Sequence, residues 1–311
     1  MYFKYAIIEI SMIRRINARL NKKHKVLILF GFILFSSGFL SYFKFKAQAA
    51  TESVSIIRQD CAGYSSCYTS LSAWEAAQQK DLVASNEIAT ARIEGNWTNP
   101  DTTSVTIDGW TTGPSNYINI YTATDARHDG KWNTGKYRLE ASSGPVINIK
   151  EEYTRIDGLQ VFRNANAGTD NGIIGLNANN ANSDIRVSNN IIKGNGAGIG
   201  NYGSGIQGGY NMSAVFKIWN NVIYDINASA GYKTAGIYLN NARSGSSIFN
   251  NTIADSAMGI GENNLNIVIA KNNLFANVAT PASGTFAAGT DYNITTGASM
   301  GYAVTGGGNT H

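Results

Sequence analysis

A short phrase recurs between residues 185 and 275, and it constrains the fold more than any other feature of the sequence. Each copy places an Asn-Asn pair between two apolar segments, and a degenerate earlier copy carries Leu159 at the place of the second Asn. The second residues of the intact pairs are Asn190, Asn221, Asn251 and Asn273. Their offsets are 221 − 190 = 31, 251 − 221 = 30 and 273 − 251 = 22 residues. Repeats of roughly 20 to 50 residues indicate stacked supersecondary units.

The residues inside each unit favour strands over helices. Apolar residues alternate around the pairs, as at Val187 and Ile192 or at Ile218 and Ile223, and β-branched types dominate. Gly and Asn, which tolerate positive φ, separate the apolar segments. A Gly-Ile phrase accompanies the repeat at Gly172, Gly205, Gly236 and Gly259. The chain is therefore predicted to be all-β, built as a coil of short strands joined by turns.

Stacking gives the Asn pairs a structural role. If each unit is one coil, equivalent residues of successive coils lie about 4.8 Å apart, and the second Asn side chains can hydrogen-bond along the stack. The phrase Ile-x-x-Asn-x-Ile followed by Gly-Ile resembles the repeat of the right-handed parallel β-helices of the pectate-lyase-like superfamily, over roughly residues 145 to 280. The resemblance implies a single-stranded right-handed solenoid. It implies little about activity, since that superfamily contains lyases, hydrolases, epimerases, tailspikes and adhesins.

The N-terminal segment has the pattern of a targeting sequence. Basic residues precede an apolar run from Val26 to Leu40, and Ala47-Gln48-Ala49 has the form of a cleavage site. We interpret residues 1–49 as an export signal, with a membrane anchor as the alternative because the apolar run nears the usual length of about 18 residues. The protein is thus expected to be secreted or at the cell surface, with membrane contact only through this segment if it is not cleaved.

The remaining chain divides into three predicted regions. Residues 50–144 form an N-terminal cap with a helix and irregular first coils, residues 145–280 form the β-helix repeats, and residues 281–311 form an irregular tail or a truncated continuation. In the cap, Ser72-Ala73-Trp74-Glu75 has the capping-box pattern of a helix start. A helix there would cover the apolar end of a solenoid.

Charge and cysteine content limit the partners and the redox compartment. The chain carries +4, but residues 1–49 hold nine basic residues and one acid, so the rest has 25 − 9 = 16 basic and 21 − 1 = 20 acidic residues, a net charge of −4. This balance argues against a nucleic-acid surface. Cys61 and Cys67 are close in sequence, and in an exported chain they predict a disulfide, with two free thiols as the alternative.

The repeat places three basic residues side by side. Alternation along the strands predicts that Arg155, Arg186 and Lys217 face outward on successive coils, with Ser188, Trp219 and Phe249 next along the same strands. Like charges at strand spacing repel, so this strip needs an anionic neighbour or ligand. We expect it to bind an acidic polysaccharide, with Trp219 and Phe249 stacking on the sugars. The alternative is that the side chains are solvated and screened.

The repeat also places two carboxylates side by side, four residues after the second Asn. Asp225 and Asp255 belong to adjacent coils, with Arg163 in the equivalent outward position. They could be catalytic, as in retaining glycosidases, or could hold Ca²⁺, although Asp at a turn is also common for backbone bonding alone. The leading prediction is a carbohydrate-binding β-helix protein. A polysaccharide lyase or glycoside hydrolase acting on acidic glycans, and a structural or adhesin segment, are the alternatives, and the oligomeric state stays open.

A polar and aromatic loop precedes the repeats. Residues 127–132 read Arg-His-Asp-Gly-Lys-Trp, the densest such cluster outside the repeats. We consider two interpretations, a solvated loop and a loop that contacts sugar at the N-terminal end of the solenoid.

Overall fold

The computed structural model describes most of the chain after the targeting segment. The described residues are 48–142, 144–164, 172–178, 183–196, 203–208, 214–227, 234–263, 266–297 and 303–304. The chain separates into two compact units, residues 1–49 and residues 50–311, and nearly all of the predicted export signal lies outside the described residues. Within the described ranges, no helix has both the length and the hydropathy needed to cross a bilayer.

Short strands, almost all in parallel pairs, account for most of the regular structure in the described residues. A nine-stranded sheet contains β1 (Thr51–Ile57), β2 (Cys67–Tyr68), β3 (Glu87–Ile93), β5 (Ile118–Thr122), β8 (Thr154–Asp157), β11 (Asp184–Ser188), β14 (Val215–Trp219), β17 (Ser247–Phe249) and β19 (Ile269–Lys271). A twelve-stranded sheet contains β4 (Val105–Ile107), β6 (Leu139–Ala141), β7 (Ile147–Ile149), β9 (Gln160–Arg163), β10 (Ile174–Leu176), β12 (Ile191–Lys193), β13 (Ile206–Gly208), β15 (Val222–Tyr224), β16 (Ile237–Leu239), β18 (Thr252–Glu262), β20 (Leu274–Ser283) and β22 (Ile294–Thr295). A separate pair is formed by β21 (Thr285–Phe286) and β23 (Ala303–Val304).

The chain visits three parallel ladders of strands in a repeated order. From β8 to β18 it passes from the nine-stranded sheet to one half of the twelve-stranded sheet, then to the other half, and then back to the first sheet beside its earlier strand. The long strand β18 pairs with β15 and with β16, so it joins the two halves. Parallel strands stacked in this order form curled sheets, consistent with a parallel solenoid.

Apolar side chains in register fill the interior. On the nine-stranded sheet, Ile156, Val187, Ile218 and Ile248 are successive partners, and each is at most 1% exposed. Val161, Ile192, Ile223 and Ile253 form an equally buried row on the twelve-stranded sheet. Burying a side chain of this size contributes about 1.5 to 3 kcal/mol, so each of these rows adds to the cohesion between coils.

Buried asparagines form a hydrogen-bonded ladder at the turn between the two sheets. The side-chain oxygen of each Asn accepts bonds from the backbone and side-chain nitrogens of the Asn one coil earlier, at distances from 2.8 to 3.0 Å. The rungs of this Asn ladder are Asn190, Asn221, Asn251, Asn273 and Asn293. Leu159 occupies the equivalent position one coil before Asn190, and its backbone amide donates to the Asn190 side-chain oxygen.

The first Asn of each pair has a different role from the second. Asn189, Asn220, Asn250 and Asn272 all take the left-handed conformation, with φ from 54° to 56°, and Gly158 does so in the degenerate copy. Asn and Gly are the residues that tolerate this region at low cost. The pair thus consists of a backbone residue that makes the turn and a buried residue that joins the coils.

Tyr292 occupies the left-handed position in the last observed rung, with φ 57° and a 63% exposed side chain. A bulky residue in this region costs of order 1 kcal/mol. Replacing Tyr292 by Asn is therefore expected to raise the free energy of unfolding by about 1 kcal/mol, measured by urea denaturation. Tyr292→Phe keeps the strain and serves as the control. A destabilised Tyr292→Asn variant would show that the ring contributes contacts that outweigh the strain.

The N-terminal helix begins two residues earlier than predicted. The prediction of Ser72 as cap was wrong, because Ser70 has the extended conformation and its hydroxyl accepts a bond from the amide three residues on. Leu71, fully buried, opens helix α1 (Leu71–Gln78), which packs against the N-terminal strands β1 to β4. A one-turn helix α2 (Leu82–Ser85) follows.

Regular pairing extends beyond both ends predicted for the repeats. β3 pairs with β5 and β5 with β8, so the first coils are in register with the later ones rather than irregular. At the other end, β20 pairs with β22 and Asn293 continues the Asn ladder, so register is kept beyond residue 280, where an irregular tail or a truncated continuation was expected. Coils of 273 − 251 = 22 and 293 − 273 = 20 residues are shorter than those before them, which hides the repeat in the sequence.

The glycines of the Gly-Ile phrase stack against the interior. A Cβ on Gly236 would lie 2.6 Å from Ile253 Cγ2, and one on Gly205 would lie 2.6 Å from Ile223 Cγ2. Gly172 does not share this position, contrary to its assignment in the repeat, because the pairing of Ile174 with Ile206 places residue 173 opposite Gly205.

Near the N-terminus, Cys61 and Cys67 form a disulfide.

Candidate functional site

The basic strip of Arg155, Arg186 and Lys217 lies on the outer face of the nine-stranded sheet. The three residues are direct partners on β8, β11 and β14, and all three are half-buried. A neighbouring outward row lies two residues earlier along the strands. It contains Tyr117, Tyr153 and Asp184, which are equivalent in register. The face therefore combines cations with aromatic rings.

Asp184 supplies the anionic neighbour that the strip required. Arg186 donates to its carboxylate through Nε at 2.8 Å and Nη2 at 3.1 Å, and Lys217 Nζ lies 2.6 Å from Oδ2. Burial would raise the pKa of Asp184, but the bonds from both cations outweigh it and lower that pKa, and the same bond raises the pKa of Arg186. The sequence reasoning missed Asp184, although alternation places it two residues before Arg186 on the same face.

Arg155 is held by an aromatic ring instead of a carboxylate. Its guanidinium carbon lies 3.4 Å from the centroid of the Tyr117 ring, a cation–π contact. Burial lowers the pKa of Arg155, and the charge of Arg186 lowers it further. Within the described residues no ion pair involves Arg155. A small cleft of about 80 Å³ opens here, lined by Pro114, Tyr117, Tyr153, Arg155, Asp184 and Arg186.

The next outward row carries the predicted aromatic side chains. Ser188, Trp219 and Phe249 are register partners, and Trp219 and Phe249 are half-buried. Ser188 was expected to face solvent but is only 4% exposed, and its hydroxyl donates to Asp157 at 2.6 Å. The row thus offers two partly exposed rings beside Lys217.

The loop of residues 123–137 packs onto this face and is not simply solvated. Arg127 pairs with Asp157 at 2.7 Å, and Asn189 also donates to that carboxylate. His128 Nδ1 accepts from the Gly130 amide at 3.1 Å, so its Nε2 is the donor to the Asn189 carbonyl at 2.9 Å. Burial lowers the pKa of His128, which favours this neutral form. We call residues 123–137 the docked loop.

Asp225 and Asp255 lie in an open groove of about 820 Å³ that also includes Asn277. All three are equivalent in register and left-handed, with φ of 59°, 46° and 53°. Asn277 donates to Asp255 at 2.7 Å. Within the described residues no group of three or more His, Cys, Asp or Glu side chains could hold a metal ion. The turn conformation by itself accounts for Asp and Asn at these positions.

Arg163 does not face outward with these acids, contrary to the prediction. It is fully buried, and its Nη2 donates to the Gly172 carbonyl at 2.7 Å. Burial lowers the pKa of Arg163 to about 10. Arg163 is the last residue of β9 and follows the strand alternation inward after the outward Phe162. Asp225 and Asp255 are left-handed and leave that alternation, so the extrapolation from them to Arg163 was wrong.

The site is therefore a lateral face rather than a closed pocket. It presents guanidinium and ammonium groups between aromatic rings, and Arg155 is the member of the basic strip for which no carboxylate partner is found among the described residues. Comparison with protein-family models, with curated proteins and with solved structures gave no match for this chain.

Proposed function

We propose that the protein is an exported, right-handed parallel β-helix, similar in architecture to the pectate-lyase-like superfamily, that binds an acidic polysaccharide along the face of its nine-stranded sheet. Export rests on the signal pattern of residues 1–49, and handedness on the resemblance of the repeat. The face suits such a ligand because its register repeats about every 4.8 Å, close to the size of a sugar unit, so that an extended chain can contact several coils.

One observation carries the binding proposal. Arg155 is half-buried against Tyr117, is not paired with a carboxylate in the described residues, and adjoins a cleft large enough for one carboxylate group. Arg186 and Lys217 are already neutralised in part by Asp184, so they orient Asp184 and add positive potential. A planar guanidinium binds carboxylates through two parallel bonds, which makes Arg155 the residue most suited to hold a uronate.

Replacing Arg155 by Ala is expected to weaken binding of a short oligogalacturonate about 10- to 150-fold, because charge-assisted hydrogen bonding contributes about 1.5 to 3 kcal/mol. The measurement is isothermal titration calorimetry at low and high salt, and the salt dependence should decrease with the lost charge. Lys150→Ala is the matched control, since Lys150 is an exposed cation paired with Asp108. Equal affinities for Arg155→Ala and Lys150→Ala would remove the basic strip as the binding site.

The groove at Asp225 and Asp255 favours a second candidate, a lyase or glycoside hydrolase acting on acidic glycans. Two carboxylates on adjacent coils in an open groove suit acid–base chemistry, and they could contribute to a Ca²⁺ site. Incubation with acidic polysaccharides and Ca²⁺ would release unsaturated sugars or new reducing ends if this is correct. Binding without product would leave a binding protein, and neither binding nor product would favour a structural or adhesin segment.

A further inference from the structure

A second cluster of aromatic rings around a cation lies on the other sheet. Phe162, Lys193 and Tyr224 are direct partners on β9, β12 and β15, and Trp132 reaches them from the docked loop. All four are half-buried. We call these four residues the corner cluster, because β8 and β9 are separated only by Gly158 and Leu159 at the turn between the sheets.

The docked loop holds Trp132 in this cluster through its neighbour Asn133. The buried amide of Gln160 accepts from the Asn133 backbone nitrogen at 2.6 Å and donates to the Asn133 and Tyr137 carbonyls at 2.9 Å each. Trp132 then meets the Phe162 ring edge to face, with centroids 5.9 Å apart. The ring is therefore preorganised by a buried network, so a ligand would not need to order it.

Lys193 lies among rings rather than beside a carboxylate. Its ammonium nitrogen is 5.7, 5.2 and 5.8 Å from the ring centroids of Trp132, Phe162 and Tyr224. Among the residues that the structure describes, no ion pair involves Lys193. Glu140, the register partner of Phe162, is engaged with Arg138, and Asp157 is engaged with Arg127. Asp225 follows Tyr224 but belongs to the groove beyond it.

We infer that the corner cluster is a second subsite for an anionic sugar unit. Lys193 would bind the carboxylate, while a half-exposed ring covers the apolar C–H face of the pyranose. The ring faces attract the ammonium group of Lys193 and hold it at the sheet surface, where it can also meet an anion. The inference rests on the proposed function for its ligand class, but it uses different residues, on the other side of the Arg127–Asp157 pair.

Two half-exposed tryptophans allow the two subsites to be tested separately. Trp74, Trp97 and Trp110 are at most 6% exposed, whereas Trp219 borders the basic strip and Trp132 belongs to the corner cluster. In Trp219→Phe, a change in emission on addition of a short oligogalacturonate reports the corner cluster, and in Trp132→Phe it reports the strip. The fully methyl-esterified oligosaccharide is the neutral probe for the role of charge.

In the Trp219→Phe background we expect Trp132 emission to change on addition of the oligogalacturonate. The ligand concentration at half-maximal change should rise about tenfold when Lys193→Met is added to this background, and should stay the same when Lys150→Met is added instead. The neutral probe should shift the midpoint in the same way as Lys193→Met. A response of Trp219 with none of Trp132 would overturn the corner subsite and leave the proposed function intact. Equal effects of Lys193→Met and Lys150→Met would also overturn it, and silence of both tryptophans would remove both proposals.

Discussion

Replacing Asn221 by Ala is expected to lower the free energy of unfolding by about 3 to 5 kcal/mol. The Asn221 side chain takes part in five hydrogen bonds of 3.0 to 3.1 Å, to Asn190, Val187, Trp219 and Asn251. Ala would leave buried donors and acceptors on two neighbouring coils without partners, at about 1 to 3 kcal/mol for each group that cannot recruit water. The change should appear as a shift of the urea midpoint.

The neighbouring residue provides the control for this prediction. Asn220 is exposed and left-handed, with φ 56°, so Asn220→Gly keeps the turn and should change stability by less than about 1 kcal/mol. Asn221→Asp tests the amide, because a buried carboxylate cannot donate to the Val187 and Trp219 carbonyls. If Asn221→Ala cost no more than Asn220→Gly, the Asn ladder would be incidental to stability.

Replacing Gly236 by Ala is expected to lower the free energy of unfolding by about 2 to 3 kcal/mol. The new Cβ would lie 2.6 Å from Ile253 Cγ2 and 3.1 Å from the Gly259 carbonyl oxygen. Both atoms belong to the next coil, so the clash can be relieved only by moving the two coils apart. Backbone hydrogen bonds on either side fix the distance between these coils, so such a movement is costly. The measurement is again the shift of the urea midpoint.

A second substitution, Ile253→Ala, tests whether Gly236→Ala destabilises through this clash or through some other effect of Ala at this position. Ile253→Ala should cost about 2 to 5 kcal/mol alone, and the double variant should cost at least about 1 kcal/mol less than the sum, because the added methyl fills part of the cavity. Gly297→Ala, with no heavy atom within 4 Å of its Cβ, should leave stability unchanged. Strict additivity would contradict the contact between Gly236 and Ile253.

The candidate site was predictable only in part. Alternation placed Arg155, Arg186 and Lys217 in one row, because strand register converts sequence period directly into position. It did not reveal Asp184 as the partner of two of them, since choosing among possible ion pairs depends on side-chain conformations. It also missed that the docked loop is attached to this face, because the pairing of Arg127 with Asp157 joins residues from different coils.

The corner cluster could also be predicted from the sequence only in part. Phe162, Lys193 and Tyr224 are equivalent in the repeat, so their register follows from the sequence. Trp132 belongs to no repeat, and the buried Gln160 that orders its loop is an ordinary strand residue in the sequence. Likewise Arg163 was extrapolated outward from Asp225 and Asp255, whereas it keeps the alternation of β9 and is buried, because it lacks their left-handed conformation.

The sequence by itself determined the parallel stacking, the apolar interior and the Asn ladder over four of its five rungs. These features are local and periodic, so each coil repeats the same short-range preferences and its neighbours reinforce them. Tertiary structure alone decided which cations remain without a carboxylate partner, where the loop packs and which ring meets which cation. Those outcomes depend on individual side-chain contacts, many of them between residues distant in the sequence. Exposed ion pairs of this kind contribute only about 0 to 1 kcal/mol each, and no period encodes them.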